Sequence, residues 1–185
     1  RRYGQAEEDA PWRRITNAHD RRENAEMMRS MKEAAEQGHN CAQCQLGIMY
    51  RYGQGARQSD ALAAEWYRKA ADQNLPQAQF NLGQMYLGGL GGLPQSHALA
   101  VEWFRKAADQ GLADAQYSVA VAYAQGEGVP ESPTVAGEWI CKAADQGHVQ
   151  SQFSLGRMYS EGSGGLPQSD VLAVEWFRKA ADQGY

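Results

Sequence analysis

Small and apolar residues recur along this chain at two nested spacings. Ala78, Leu82 and Tyr86 follow one another at intervals of four residues, which places them on one face of a helix. Similar stripes return every 36 or 37 residues, each followed by a glycine-rich stretch and a second segment of helical periodicity. No stretch alternates in the manner of a β-strand. The pattern therefore predicts an all-α chain built from repeated helix pairs.

Glu-Trp and Lys-Ala-Ala-Asp-Gln sequences mark the second helix of each pair. The spacings between successive tryptophans are 37, 36 and 37 residues, and these residues are Trp66, Trp103, Trp139 and Trp176. From each serine that precedes a second helix to the small residue that opens the next stripe, the distance is always 19 residues. Length therefore varies only in the glycine-rich loop. A fixed scaffold with one tolerant loop is typical of stacked repeats.

Residues suited to helix ends stand at matching places in each repeat. Ser132, followed by Pro133, is the clearest N-cap, because proline at the first helical position removes only an N–H that has no partner there. Glycines at 38, 111, 147 and 184 are placed to end the second helices in the left-handed conformation. Asn74 stands at the remaining equivalent position, and asparagine also enters that conformation readily.

Glycines recur inside the predicted first helices, at positions 47, 83 and 156, and Ala120 stands at the equivalent position of the third repeat. Each glycine costs about 1 kcal/mol relative to alanine, so its recurrence predicts close contact between helices. The tryptophans are expected to fill space between neighbouring helices. Glu65 and Lys69, with their three equivalent pairs, are expected to form surface ion pairs worth about 0.2–0.5 kcal/mol each.

Together these residues resemble the Sel-one-like repeat family, relatives of the tetratricopeptide solenoids. The resemblance rests on the block 78–86, a glycine-rich loop and the block 100–111, and it covers about residues 32–185. It implies a right-handed α-α superhelix, or solenoid, of about four to five helix-turn-helix repeats. It also implies an adaptor role in signalling, quality control, secretion or host-microbe contact.

The segment 1–31 departs from the repeat, and Arg29 is aligned with the tryptophan position. Residues 17–37 still have the pattern of one helix. The residues before it form a cap, a remnant of an earlier repeat or a disordered arm. We therefore expect a divergent N-terminal cap or arm at 1–31, which includes the start of the first helix, and a repeat solenoid at 32–185.

Composition narrows the class of partner. The chain has 185 residues and a formal net charge of -4, so it has no general attraction for nucleic acid or anionic lipid. No stretch approaches the roughly 20 apolar residues that cross a bilayer. The start lacks both a signal segment and an initiator methionine, which is typical of a fragment or processed form from which a targeting signal could have been removed, so the start of the chain does not define the compartment. Three cysteines, an odd and sparse set, favour a reducing, cytoplasmic compartment.

Reactive residues cluster only at His39, Cys41 and Cys44. A structural zinc site needs a fourth ligand, and a thioredoxin-like site needs a preceding strand. Cys44 aligns with aromatic residues of the other repeats, which predicts a buried core residue. The glycines at 88–92 lack the Lys-Ser/Thr of a phosphate loop, so they are interpreted as a connection between helices. We therefore expect no cofactor, no metal site and no catalytic activity.

The leading functional hypothesis is a protein-protein interaction module that binds a protein or peptide on the concave side of the superhelix. Helical geometry assigns to that side the positions three, six and ten residues after each leading small residue. The candidates are Gln45, Ile48, Tyr52, Asn81, Gln84, Ser118, Val121, Gln125, Ser154, Arg157 and Glu161. The residue types at these positions vary between repeats. Selective binding of one partner would explain this variation, and so would the absence of any constraint on exposed side chains.

Two alternatives belong to other functional classes. The resemblance also allows an immunity or inhibitor protein that covers the active site of a toxin or enzyme. The C-terminal helix, with Trp176, Phe177, Ala180 and Ala181 left uncovered, allows self-association between copies of the chain.

Overall fold

The computed structural model describes the backbone of residues 18–185 and the side chains of residues 26–185. Most of the expected N-terminal segment 1–31 therefore lies outside the described residues. Over the described backbone the chain forms nine α-helices without a strand, which confirms the all-α prediction. They are α1 Ala18–Glu36, α2 Asn40–Tyr52, α3 Asp60–Asp72, α4 Pro76–Gly88, α5 His97–Asp109, α6 Ala113–Gln125, α7 Pro133–Asp145, α8 Val149–Glu161 and α9 Asp170–Ala181.

The helices stack in chain order as four pairs preceded by one extra helix. Each pair has a first helix (α2, α4, α6 or α8) and a second helix (α3, α5, α7 or α9), and each helix packs chiefly against its neighbours in sequence. Helix α1 packs against α2 as the second helix of a preceding repeat would. Because contacts are local, the main core runs from α2 to α8 across successive repeats, as expected of a solenoid, and a second, smaller cluster of buried residues lies between α1, α2 and α3.

The ends of the second helices follow the serine and glycine signals. The Ser59 hydroxyl accepts a hydrogen bond from the backbone N–H of Leu62 at 3.3 Å, and the other three second helices of the pairs begin in the same way. Asn74 has a φ of 64°, and the glycines at the equivalent positions are also left-handed. The predicted helix-end residues are therefore confirmed.

The first helices begin differently, and α8 is the case in which a side chain supplies the cap. The backbone N–H of Ser151 donates to Nδ1 of His148 at 3.2 Å, while Nε2 lies 3.4 Å from a carboxylate oxygen of Asp114. The Tyr117 ring packs beside the imidazole, with ring centres 4.9 Å apart. Burial lowers the pKa of His148, and Asp114 opposes part of that shift. The neutral ring is therefore the form that caps the helix.

We expect the protein to become less stable as the pH is lowered, because His148 becomes protonated. Because its pKa is lower in the folded protein than the ordinary 6.5, its contribution to the free energy of unfolding is complete above that pH. The contribution is lost as the pH falls from there through the folded-state pKa. His148→Asn keeps a capping oxygen but has no group that titrates in this range. The melting temperature of this variant should therefore fall less between about pH 7.5 and about pH 5 than that of the unmodified protein. His97→Asn is the control, and an equal effect of both variants would contradict the assignment.

The helical glycines lie against aromatic rings of the second helices. A β-carbon added to Gly83 would come within 2.7 Å of the Phe104 ring, and one on Gly156 would come equally close to Phe177. Gly47 has the same relation to Tyr67. In the third pair the small residue is Ala120 and the ring is replaced by Ile140, both buried. The predicted close contact is confirmed, and the partner of each glycine is one specific ring.

The prediction of ion pairs between the glutamates and lysines of the second helices is wrong. The Lys69 ammonium lies over the ring of Trp66, 4.0 Å from its centre, rather than against Glu65. The other three lysines do the same, at 3.6 to 4.0 Å from their tryptophans. The ring three residues before the lysine competes with the carboxylate four residues before it, and the cation-π contact is worth about 0.5–1 kcal/mol at an exposed site. The aliphatic stem of the lysine also shields the half-buried ring.

Glutamines join successive repeats in a way that the sequence analysis did not identify. Gln79 in α4 donates to the carbonyl of Ala71 at the end of α3 and accepts a 2.7 Å hydrogen bond from Gln110, which follows α5. Gln110 also donates to the Lys106 carbonyl in the last turn of α5. The equivalent glutamine pairs are 43 with 73, 116 with 146 and 152 with 183. We call these four pairs the glutamine ladder.

The ladder also corrects the alignment of α1. Gln43 donates to the Ala35 carbonyl as Gln79 does to Ala71, so Ala35 and Ala71 are equivalent. Counting back five residues from each places Ser30, not Arg29, at the tryptophan position. The prediction that Arg29 stands at the tryptophan position was wrong by one residue because Lys32 was aligned with Lys69, whereas Glu33 occupies that place.

The exposed apolar face of α9 differs from the predicted one. Ala180 is buried within its own pair, and Trp176 and Phe177 are half-buried, whereas Ala181 is exposed as expected. Within α9, the most exposed apolar side chains are those of Val171 and Val174. In an internal repeat the residue equivalent to Val174 is Val101, which is 5% exposed against 55% for Val174. The apolar face is therefore centred nearer the start of α9 than predicted.

Candidate partner-binding surface

Three cavities lie in a row, each between the first helices of adjacent pairs. The α2–α4 cavity has a volume of about 200 Å³, the α4–α6 cavity about 210 Å³ and the α6–α8 cavity about 180 Å³. Gln84 lines both of the first two, and Val121 lines both of the last two. The cavities therefore form one continuous surface across the stacked first helices.

Nine of the eleven candidate residues line these cavities, while Gln45 and Gln125 line none of the three. We call the nine the first-helix face: Ile48, Tyr52, Asn81, Gln84, Ser118, Val121, Ser154, Arg157 and Glu161. Their placement follows from helical periodicity and from the parallel stacking of the first helices.

The floor of the α4–α6 cavity was not predicted. It is formed by apolar side chains of both helix types, among them Val101 and Phe104 of α5 and Tyr117 of α6. The second-helix residues were missed because helical arithmetic on the first helices alone gives no information about the helix behind them. The α2–α4 cavity is more polar, with Arg51, Gln77 and Asn81 in its lining.

The charged groups that line the cavities differ in their partners. Arg51 donates to Asp60 at 2.7 Å, and Arg157 lies 3.5 Å from Glu161. Glu127, in the α4–α6 cavity, lies 3.1 Å from Nδ1 of His97. Of the two described carboxylates that line these three cavities, Glu161 pairs with an arginine, whereas Glu127 pairs with the His97 imidazole.

Cys44, the centre of the only reactive cluster in the sequence, is a core residue as predicted. Its side chain is 5% exposed and packs among the buried residues of the first two pairs. Burial, with a smaller contribution from Cys41, raises the pKa of the Cys44 thiol to about 11. A metal ligand or redox nucleophile must be a thiolate, and this environment disfavours it. Among the described side chains, no three histidine, cysteine or acidic residues are grouped as a metal site requires.

We expect the three cysteines to react with a maleimide at very different rates. Cys41 is exposed and should be modified first, Cys141 is half-buried, and Cys44 should react only after unfolding. Intact mass spectrometry under native and denaturing conditions measures this directly. Rapid modification of Cys44 in the folded protein would contradict its burial. Protection of both Cys41 and Cys44 by zinc, or a melting temperature lowered by a chelator, would instead support the metal site that the sequence disfavours.

Comparison with known families agrees with this geometry. The Sel1 repeat profile matches residues 42–75, 76–112, 113–148 and 149–185, so that each match contains one pair of helices. The chain belongs to the Sel1 repeat family. This confirms the resemblance on which the fold was predicted, and Sel1 repeats are generally protein-interaction modules.

Two solved Sel1 repeat structures are similar over 85% of this chain. The protective antigen c5321 of uropathogenic Escherichia coli, which displays an SLR fold, is 39% identical with a TM-score of 0.81. A Sel1 repeat protein of Oxalobacter formigenes is 32% identical with a TM-score of 0.77. The chain spans 33% of the length of the first structure and 62% of the second.

A third, more distant Sel1 repeat structure supports only the fold. A Sel1 repeat structure from Klebsiella pneumoniae is 23% identical, with a TM-score of 0.58 over 84% of this chain and 73% of that one. No curated protein matches the chain.

None of the helices in the described part of this Sel1 repeat protein has the length and apolar character that crossing a membrane requires.

Proposed function

We propose that this chain is a non-enzymatic adaptor or scaffold module that binds a protein or peptide across its first-helix face. The observation that carries the proposal is the row of three cavities at one-repeat spacing. Neighbouring helices pack about 8–10 Å apart, so one repeat corresponds to about three residues of an extended peptide at 3.3 Å each. A segment of a partner would therefore place side chains in successive cavities.

Variation along the face supports selective rather than general binding. The central position of each first helix is occupied in turn by Ile48, Gln84, Val121 and Arg157, while the packing positions behind it stay small or apolar. Each cavity therefore has its own chemistry. An inhibitor of a toxin or enzyme would be the special case in which the bound segment belongs to an active site.

Residues 32–185 form the binding module in this proposal, with 1–31 as an N-terminal cap or arm. The exposed apolar face of α9 is a second place for association, between copies of the chain. Light scattering over a range of concentrations separates that association from partner binding, because Val174→Lys should reduce the former and leave the latter unchanged.

The proposal is tested by selecting random peptides on the full chain and measuring their affinity for two variants. Gln84→Lys alters a residue that lines two cavities, and Gln125→Lys makes the same change at an exposed position of α6 that lines none of the three. Selected peptides should bind the first variant at least about tenfold more weakly, which corresponds to about 1.4 kcal/mol, and the second unchanged. Peptides that bind both variants as tightly as the unmodified protein would contradict the proposal.

A further inference from the structure

We infer that the α4–α6 cavity holds one bulky apolar side chain of the partner, and that Glu127 selects a lysine or arginine next to that side chain. This inference rests on the proposed function, because it names the chemistry of the segment bound at the first-helix face. Three properties of the cavity support it: the composition of its walls, its size and the charge at its rim.

The walls of the α4–α6 cavity are mostly apolar, unlike those of the α2–α4 cavity. Val101 and Phe104 are buried at its floor, and Leu87 at its edge is 38% exposed. An exposed leucine beside an apolar hollow contacts water unless a partner covers it. Covering these surfaces with another apolar group is favourable because it removes them from water. The walls therefore select an aliphatic or aromatic side chain.

The size of the cavity favours a side chain over a free metabolite. Its volume of about 210 Å³ lies below the range of roughly 300–1,000 Å³ that is usual for small-molecule sites. The polar groups around it come from different elements: Gln84 from α4, Ser118 from α6, and Glu127 from the loop after α6. A hollow of this size, bordered by hydrogen-bonding groups, suits one anchoring side chain with its flanking backbone.

The charge at the rim defines the neighbour of that anchor. Glu127 is 48% exposed at its side chain, and its described partner is His97, whereas Arg51, Arg157 and Glu161 in the adjacent cavities already have partners of opposite charge. The lining of the α4–α6 cavity contains no lysine or arginine. A basic residue beside the apolar anchor would complete the charge balance at this rim, and an acidic one would be repelled.

Three fluorescein-labelled peptides of otherwise identical serine-glycine sequence test the inference by fluorescence polarisation. The first has a central phenylalanine with lysine on both sides, the second has the same phenylalanine between glutamates, and the third has alanine between lysines. Lysine on both sides makes the result independent of peptide direction. The first peptide should bind at least about tenfold more tightly than either of the others.

Matched variants assign each preference to its residue. Glu127→Gln should remove the preference for lysine over glutamate and retain the preference for phenylalanine. Glu102→Gln, with the same change in net charge at an exposed residue of α5 that lines none of the three cavities, should alter neither. Ser118→Trp fills the α4–α6 cavity and should remove the preference for phenylalanine, whereas Gln125→Trp should not. Circular dichroism verifies that every variant is folded.

Failure of the inference is distinguishable from failure of the proposed function. If the selected peptides respond to Gln84→Lys but the lysine-flanked peptide has no advantage, or keeps its advantage in Glu127→Gln, the inference is overturned and the binding face stands. If neither the selected nor the designed peptides respond to Gln84→Lys, both are overturned.

Discussion

Gly83→Val should lower the free energy of unfolding by about 3 kcal/mol, because the added carbons would enter space occupied by the Phe104 ring. A β-carbon alone would already lie 2.7 Å from that ring and 3.1 Å from the Ala100 carbonyl oxygen. Gln84→Ala, at the next residue of the same helix, removes exposed atoms and should change stability by less than about 0.5 kcal/mol. Urea denaturation followed by circular dichroism measures both, and equal midpoints would contradict the packing at Gly83.

Gly83→Ala is the sharper form of the test because two effects oppose each other. Helix propensity alone favours alanine over glycine by about 1 kcal/mol, whereas the contact with Phe104 disfavours it. A net loss of stability would show that packing dominates. A net gain would show that the ring moves aside at little cost.

The third pair of helices suggests how that loss can be reversed. There the chain has Ala120 with Ile140, so the larger first-helix residue stands opposite the smaller second-helix residue. Gly83→Ala combined with Phe104→Ile reproduces this combination in the second pair. We expect the double variant to be more stable than the sum of the two single changes predicts, by about 0.5–3 kcal/mol. Strict additivity would mean that the two positions do not pack against each other.

The parts of the fold that local rules determine were predictable from the sequence. Helix spacing, the serine caps and the left-handed Asn74 depend on a few adjacent residues, and the structure agrees with all of them. The position of Lys69 was not predicted, although its partner is only three residues away. Two local rules competed there, and the ring of Trp66 prevailed over Glu65 because it is a broad surface already held in place by packing.

The surface was predictable only to the extent that one helix defines it. Periodicity located Gln84 and Ser118, which lie on first helices, but not the floor residue Phe104 or the rim residue Glu127. Phe104 comes from the helix behind, and Glu127 lies beyond the end of α6 in a loop whose course depends on packing against α5. Both need the three-dimensional arrangement of consecutive repeats, which the spacing of residues in a single repeat does not contain.

The polar contacts of the glutamine ladder also could not be predicted from the sequence of a single repeat. Their loss is the second change for which we expect a large decrease in the free energy of unfolding. Gln79 recurs in every pair, yet its partner Gln110 is 31 residues away, at the end of another helix. Gln79 is 2% exposed, and its amide contacts Ala71, Asn74 and Gln110. In the described part of the chain no buried side-chain nitrogen or oxygen lacks a hydrogen-bond partner. Substitution of Gln79 by an apolar residue therefore removes three hydrogen bonds at a buried position, although the Ala71 carbonyl still accepts from the Asn74 N–H and Gln110 still donates to Asn74.

Gln79→Met keeps most of the side-chain volume but removes the amide, and we expect it to lower the free energy of unfolding by about 2 kcal/mol. Gln84→Met, the same substitution at an exposed position of α4, is the control and should have little effect. The ladder itself is tested by adding Gln110→Met to each variant. Because Gln79 and Gln110 share a hydrogen bond, the second substitution should cost less once Gln79 is already methionine, and it should cost its full amount beside Gln84→Met. If the cost of Gln110→Met is the same in both backgrounds, each glutamine acts alone and the four pairs do not form a coupled ladder.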